Sequence, residues 1–328
     1  MKFRIWRSAV VLATSGLAAT AFAGVSTAAP APSSVSGHLL ADTAAESRAV
    51  AEYWTPEAMR AAVPLDQLLG TVDASKLTQD VATAAPQVVQ PTVQERNDVQ
   101  PMAFPSGGAT WTGGGAVVNT AGRVFFTYQG RQASCSGNAV TSANKSTVMT
   151  AGHCVKLDGA FHTNWAFVPA YNNGNAPHGT WTARATYATP QWVASEDINY
   201  DVGAAVVNQL NGASLTDVVG GQGVAFNQPK AQDMYAFGWP AAAPYDGTKM
   251  IYCSGRTFNA LISNGIGMTC NMTGGSSGGP WFKSFNEANG TGLVNSVNSY
   301  KISIIPTWMF GPFFGADAQN LYNSASVA

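Results

Sequence analysis

The chain has 328 residues, 46% of them hydrophobic and 11% charged, with a formal net charge of −1. That is ample material for a large core, and the balanced charge excludes a broad electrostatic footprint for nucleic acid or acidic membranes. The 34 glycines suit many short strands joined by turns.

Lys2, Arg4 and Arg7 open the chain and are followed by an apolar run at 9–23. The run ends in Ala21-Phe22-Ala23, the small-x-small pattern that signal peptidase accepts. A transmembrane anchor is the alternative, but the run is short and interrupted by Thr14, Ser15 and Gly16. Residues 1–23 are therefore expected to be a signal peptide, and the product to be secreted, extracellular and free of the membrane.

Residues 24–101 differ in charge from the rest of the chain. Between 29 and 101 stand nine acidic residues and four basic ones; from 102 onward the balance is nine to ten. Thr55 is placed to cap a helix that starts at Pro56, with Glu57 near its positive end and Pro64 beyond its stop. After Gly70 the composition is linker-like, rich in Ala, Val, Gln, Pro and Thr. This is what a propeptide looks like; a retained N-terminal extension is the alternative.

From Gly107 the pattern becomes that of strands, at 123–128, 180–185, 202–207, 234–237, 250–253 and 293–300. Breakers such as Asn172-Asn173-Gly174-Asn175, Gly220-Gly221 and Gly274-Gly275 separate them. Residues 317–322 suit a short closing helix. Such spacing, without helical periodicity between strands, predicts an all-β sandwich or pair of barrels over 102–328. Cys135, Cys154, Cys253 and Cys270 would form two disulfides in an oxidising compartment, and three pairings are open. No C-x-x-C spacing occurs, so neither a zinc site nor another cofactor is expected.

Three short stretches carry chemistry: Thr150-Ala151-Gly152-His153-Cys154, then Asn199-Tyr200-Asp201 opening an apolar strand, then Thr273-Gly274-Gly275-Ser276-Ser277-Gly278-Gly279-Pro280. A serine hydroxyl is a poor nucleophile unless an imidazole takes its proton, and a buried carboxylate fixes that imidazole's tautomer. Glycines beside Ser277 permit the backbone turn that aims two N–H groups, those of Gly275 and Ser277, at a developing oxyanion. The Gly275–Gly279 run also fits the G-x-S-x-G elbow, which needs an acid and a histidine after the serine. The histidines are His38, His153, His162 and His178, all upstream, so the elbow reading fails. The order His153, Asp201, Ser277 survives. Asp197 competes with Asp201 but lacks the apolar strand directly behind it, and it reads as a turn residue. His162 and His178 read as loop residues, and Trp239 and Trp281 as packing.

These motifs resemble those of the chymotrypsin-like serine peptidases over roughly residues 107–328. Phe237-Gly238-Trp239-Pro240 and the Ser277 loop resemble the bacterial branch that includes the V8-like glutamyl endopeptidases. The resemblance implies two six-stranded antiparallel β-barrels, about 107–210 and 211–328, with His153 and Asp201 on the first and Ser277 on the second. It implies a Cys135–Cys154 histidine-loop disulfide, leaving Cys253 with Cys270, and a monomer acting on polypeptide substrates. Asn271 and the backbone at Asn298, Ser299 and Tyr300 are the implied substrate contacts.

Three departures matter. Ser276 stands where digestive members carry the aspartate that pairs with a new N-terminal amine, so activation is expected to proceed by uncovering the cleft. Asn271 replaces the aspartate of trypsin-like members, which disfavours basic side chains at the cleaved bond. The strand at 294–300 has no histidine, so glutamate preference does not carry over. An esterase, or a non-catalytic binding protein on the same fold, are the competing readings.

Overall fold

The Thr55-Pro56 signal produces the helix it predicts, and a further helix that it does not predict precedes it. A short strand, β1 (His38–Leu39), leads into α1 (Ala44–Tyr53). Thr43 caps α1 in a reciprocal box: Glu46 N–H donates to Thr43 Oγ1 at 3.2 Å, and Thr43 N–H donates to Glu46 Oε2 at 3.1 Å. The second helix, α2 (Pro56–Ala61), starts on proline behind the Thr55 cap. Pro64 biases the preceding Val63 to extended backbone, and the chain continues as β2 (Val63–Pro64) and a 3-10 turn, Leu65–Leu68.

The computed structural model describes residues 35–68, 81–93 and 102–328, all within one unit spanning 34–328. The expected signal peptide and most of the linker after Gly70 lie outside the described residues.

Further along, β3 (Gln87–Val89) and β4 (Ser106–Thr110) precede the first barrel. That barrel is built from β5 (Ala121–Tyr128), β6 (Arg131–Ala139) and β7 (Thr147–Thr150), a small β8 (Lys156–Leu157) and β9 (Ala160–Phe161) ladder, then β10 (Thr163–Pro169), β11 (Trp181–Ala188) and β12 (Gly203–Val207). The strand order is β11-β10-β5-β6-β7-β12, and β12 pairs back onto β11, so the six large strands close. Every pair in that ring is antiparallel, as expected. Phe126, Trp165, Phe167 and Trp181 are fully buried in its core.

In the second half, β13 (Gly223–Phe226), β14 (Asp233–Gly238) and β15 (Ile251–Arg256) join β18 (Pro280–Asn286) and β19 (Thr291–Val297) in one sheet. The edges of that sheet are β3 and β4. A second, four-stranded sheet holds β16 (Phe258–Asn259), β17 (Ile266–Thr269), β20 (Tyr300–Ile302) and β21 (Ile305–Gly311). All pairs here are antiparallel except β13 with β19. The sequence suggests one strand over 293–300, but the chain changes sheets at Asn298 and Ser299. Asn298 Nδ2 donates to Phe237 O at 2.8 Å and Ser276 O at 2.9 Å, and its Oδ1 accepts from Trp281 Nε1 at 2.6 Å. That buried side chain claims the geometry a straight strand would need. The closing helix, α3 (Ala316–Val327), is longer than suggested because Ala318, Leu321, Tyr322 and Ala325 bury one face.

Both disulfides form, Cys135–Cys154 and Cys253–Cys270, with Cα separations of 6.2 and 5.4 Å. No helix among the described residues is long and apolar enough to cross a membrane.

Candidate active site

Buried β7 delivers its chain into a 3-10 turn, Gly152–Cys154, that carries His153. The Cys135–Cys154 bridge ties this turn to β6. Gly152 has no room for a side chain, since a Cβ there would strike the Trp192 ring. The His153 ring is buried, and its Nδ1 lies 2.8 Å from Asp201 Oδ2. The His153 backbone N–H donates to Asp201 Oδ1, also at 2.8 Å.

Asp201 ends the short turn Ile198–Tyr200 and enters β12. Its Oδ2 accepts a third hydrogen bond, from Ser299 Oγ at 2.5 Å. The competitor Asp197 caps the same turn and accepts from Asn199 N–H at 3.0 Å. One carboxylate therefore faces the imidazole while the other shapes the turn that aims it.

Burial alone would lower the His153 pKa, but the charge and hydrogen bond of Asp201, together with the charge of Asp66, leave it raised. With Nδ1 engaged by Asp201, the ring presents Nε2 as its free end. That atom is buried and makes no hydrogen bond among the described residues. Behind it, His162 stacks on Phe126 at 4.3 Å, and its Nε2–H donates to the His153 carbonyl at 2.8 Å. Burial pushes the His162 pKa down to about 4, so this ring is neutral near pH 7. Although it lies between strands, His162 is thus a buried support for His153 rather than a free loop residue.

Ser277 sits in a turn whose shape depends on two glycines with positive φ, Gly275 at 94° and Gly278 at 78°. The first barrel holds that turn from behind: Ser136 Oγ donates to Gly275 O at 2.9 Å, and Ser136 N–H to Ser277 O at 2.7 Å. Ser136 Oγ also accepts from Trp239 N–H at 2.9 Å. From the second half, Gly278 N–H donates to Asn298 O at 2.7 Å. Ser276 turns its hydroxyl onto Thr273 O at 2.8 Å and pairs with no amine among the described residues.

What faces this turn is a residue that sequence reasoning counts only as one acid among nine. Ser277 Oγ donates to Asp66 Oδ1 at 2.7 Å, and Gly275 N–H donates to Asp66 Oδ2 at 2.9 Å. Asp66 is 211 residues away in sequence from Ser277. No spacing rule reaches that far, and nothing in Val63-Pro64-Leu65-Asp66 marks it.

The suggested substrate contacts separate into two groups. Asn298 and Ser299 are buried, and their side chains are spent on the Ser277 turn and on Asp201. Tyr300 stacks on Phe310 at 5.0 Å and shares a hydrogen bond with Ser263 Oγ at 3.0 Å. Asn271 is exposed and accepts from the Tyr245 hydroxyl at 2.6 Å. Next to Tyr300 stands Lys301, which no motif singles out. Its Nζ donates to Cys270 O at 3.0 Å and Met272 O at 2.8 Å, on either side of Asn271. Burial lowers the Lys301 pKa to about 8.

No family model matches the chain. Among solved structures, the protease Anisep from Arthrobacter nicotinovorans is similar with a TM-score of 0.63 and 46% identity, over 67% of this chain and 100% of its own. AL20, a thermostable serine protease from an extremophilic microorganism, has a TM-score of 0.62 and 41% identity, over 65% and 99% of the two chains. A Glu endopeptidase shares the fold at a TM-score of 0.54 and 17% identity, over 69% and 99%. An extracellular metalloprotease of Bacillus subtilis (strain 168) is 27% identical over 175 residues, which is 51% of this chain. The chain spans about half of that curated relative, 53% of its length. Metal chemistry is in that relative's name. Here the cluster within metal-ligand reach among the described residues is Cys135, His153 and Cys154, and its two sulfurs are joined to each other.

Proposed function

The chain belongs to the chymotrypsin-like serine proteases, and from that premise we propose that it is the precursor of a secreted serine endopeptidase with Ser277 as nucleophile. In this reading His153 Nε2 takes the Ser277 proton as Oγ attacks the substrate carbonyl carbon, forming the tetrahedral intermediate. The N–H groups of Gly275 and Ser277 receive the oxyanion. The imidazolium then gives its proton to the departing amine, and water, activated by the same nitrogen, releases the acyl group from Ser277. Asp201 holds the ring in the tautomer that leaves Nε2 basic, and Ser299 helps to hold Asp201.

The observation that carries this reading is the division of labour on one imidazole. Its Nδ1 side is fully engaged by a buried carboxylate, while its Nε2 is buried and unspent.

Residues 1–23 act as the signal peptide, 24–101 as a removable propeptide, and 102–328 as the enzyme, a monomer released outside the cell. Two disulfides suit that compartment. At the cleaved bond, neutral Asn271 and the ammonium of Lys301 disfavour basic side chains through desolvation and like charge.

A fluorophosphonate probe tests the assignment. The processed enzyme is expected to gain one label, lost in Ser277→Ala with an unchanged melting temperature. Labelling of Ser277→Ala at the wild-type rate would transfer the nucleophile elsewhere.

A further inference from the structure

The outer face of the first barrel and the mouth of the active site are an interaction surface already filled by part of the same chain. We propose that residues 35–68 form a self-contained inhibitor, with Asp66 as a carboxylate latch in the oxyanion site, and that this segment still binds and blocks the enzyme after the backbone is cut. The inference rests on the reading of Ser277 as nucleophile and goes beyond it.

Attachment is spread along the segment. Through β1, His38 and Leu39 pair with Thr186 and Ala185. The Trp54 ring is buried against Phe125 with centroids 5.4 Å apart, and its Nε1–H donates to Asn164 O at 2.6 Å. Met59, Ala62 and Leu65 are buried as well. The strand β2 then adds to β6 in parallel, Val63 with Ala133 and Pro64 with Ser134. These contacts anchor the segment without using any residue of the catalytic reaction.

The tip is chemically different from the anchor. A site that stabilises a developing oxyanion binds a full negative charge that is already present, and Asp66 supplies one. Its Oδ2 holds the Gly275 N–H, while its Oδ1 takes the hydrogen of Ser277 Oγ. The serine proton thus points away from His153 Nε2. A carboxylate carbon is not electrophilic enough to be attacked, so the latch offers no bond to cleave. The Asp66 charge also helps raise the His153 pKa, which favours the imidazolium, the form unable to accept a proton. Nucleophile and base are both disabled by one side chain.

The test uses the full-length precursor and the enzyme obtained from it by processing. Fluorophosphonate labelling of intact precursor is expected to be slow, and faster by about 10–100-fold in Asp66→Ala and Asp66→Asn, the loss of two charge-assisted hydrogen bonds. Circular dichroism should keep the wild-type spectrum, so that the variant precursors are folded. Precursor cut in its backbone between residues 68 and 81 is expected to label slowly when concentrated and faster on dilution, and the cut Asp66→Asn precursor to label at least about tenfold faster than cut wild type when concentrated. Equal labelling of wild-type and Asp66 variant precursors, alongside full labelling of processed enzyme, overturns the latch and leaves the nucleophile standing. Cut wild-type precursor that labels as fast as processed enzyme when concentrated overturns the binding after cleavage. Processed enzyme that takes no label overturns the nucleophile reading instead.

Discussion

Asp201 accepts from three donors at once, His153 N–H, His153 Nδ1–H and Ser299 Oγ–H. Only the Nδ1–H bond sets the tautomer that the proposed mechanism needs. Asp201→Asn is therefore expected to cost about 10⁴-fold in kcat, because the amide reverses the tautomer it is meant to fix. Ser299→Ala removes a single supporting bond and should lower kcat about tenfold with KM unchanged. Steady-state kinetics on one peptide substrate reads both. The two buried histidines act on stability with opposite signs. His162 titrates at about 4 when folded and near its ordinary value of 6.5 when unfolded. The unfolded chain binds more protons between those values, so the contribution of neutral His162 is full above about pH 6.5 and falls as pH drops toward 4. The raised pKa of His153 gives the reverse: stability present below its unfolded value of about 6.5 and lost as pH rises through the folded one. Urea unfolding at pH 7 and pH 4.5 should show a smaller acid-induced loss in His162→Phe than in wild type.

At the scale of elements, the closed barrel carries His153 and Asp201 with one disulfide beside them, and the two sheets of the second half carry the Ser277 turn with the other. Cys253–Cys270 closes a loop with a sequence separation of 17 and ends at the segment whose carbonyls Lys301 holds, just before the Ser277 turn. Replacing both cysteines by alanine is expected to remove about 3 kcal/mol and to lower the melting temperature by about 6–12 °C. Thermal unfolding of the processed form measures it. Local elements are legible wherever neighbours in sequence decide them. Thr55 before Pro56 sets the start of a helix, and Asp201 ahead of an apolar strand outranks Asp197. Legibility fails where a tertiary contact overrides a local pattern. The run 293–300 alternates like one strand, yet the buried amide of Asn298 splits it between two sheets. His162 reads as a loop residue because its stacking on Phe126 and its bond to His153 lie outside any sequence window.

For the whole molecule, the same limit hides the most informative contact. The order His153, Asp201, Ser277 is readable because the motif around each residue is local. The meeting of Asp66 with Ser277 is not, since it depends on how α1, α2, β1 and β2 dock against the first barrel. The region ahead of residue 102 is also woven more widely than a simple cover. While β1 and β2 extend the first sheet, β3 pairs with β13 in the second. Yet all four cysteines are paired within residues 135–270, so no disulfide joins this region to the rest of the fold, and the backbone is its one covalent link. One cut turns an intramolecular plug into a two-component complex. Such a complex obeys mass action: it persists where the pieces are crowded together and comes apart when diluted. Under the proposed latch, activity is expected to rise as the cut molecules spread apart, so that the chain would gauge distance.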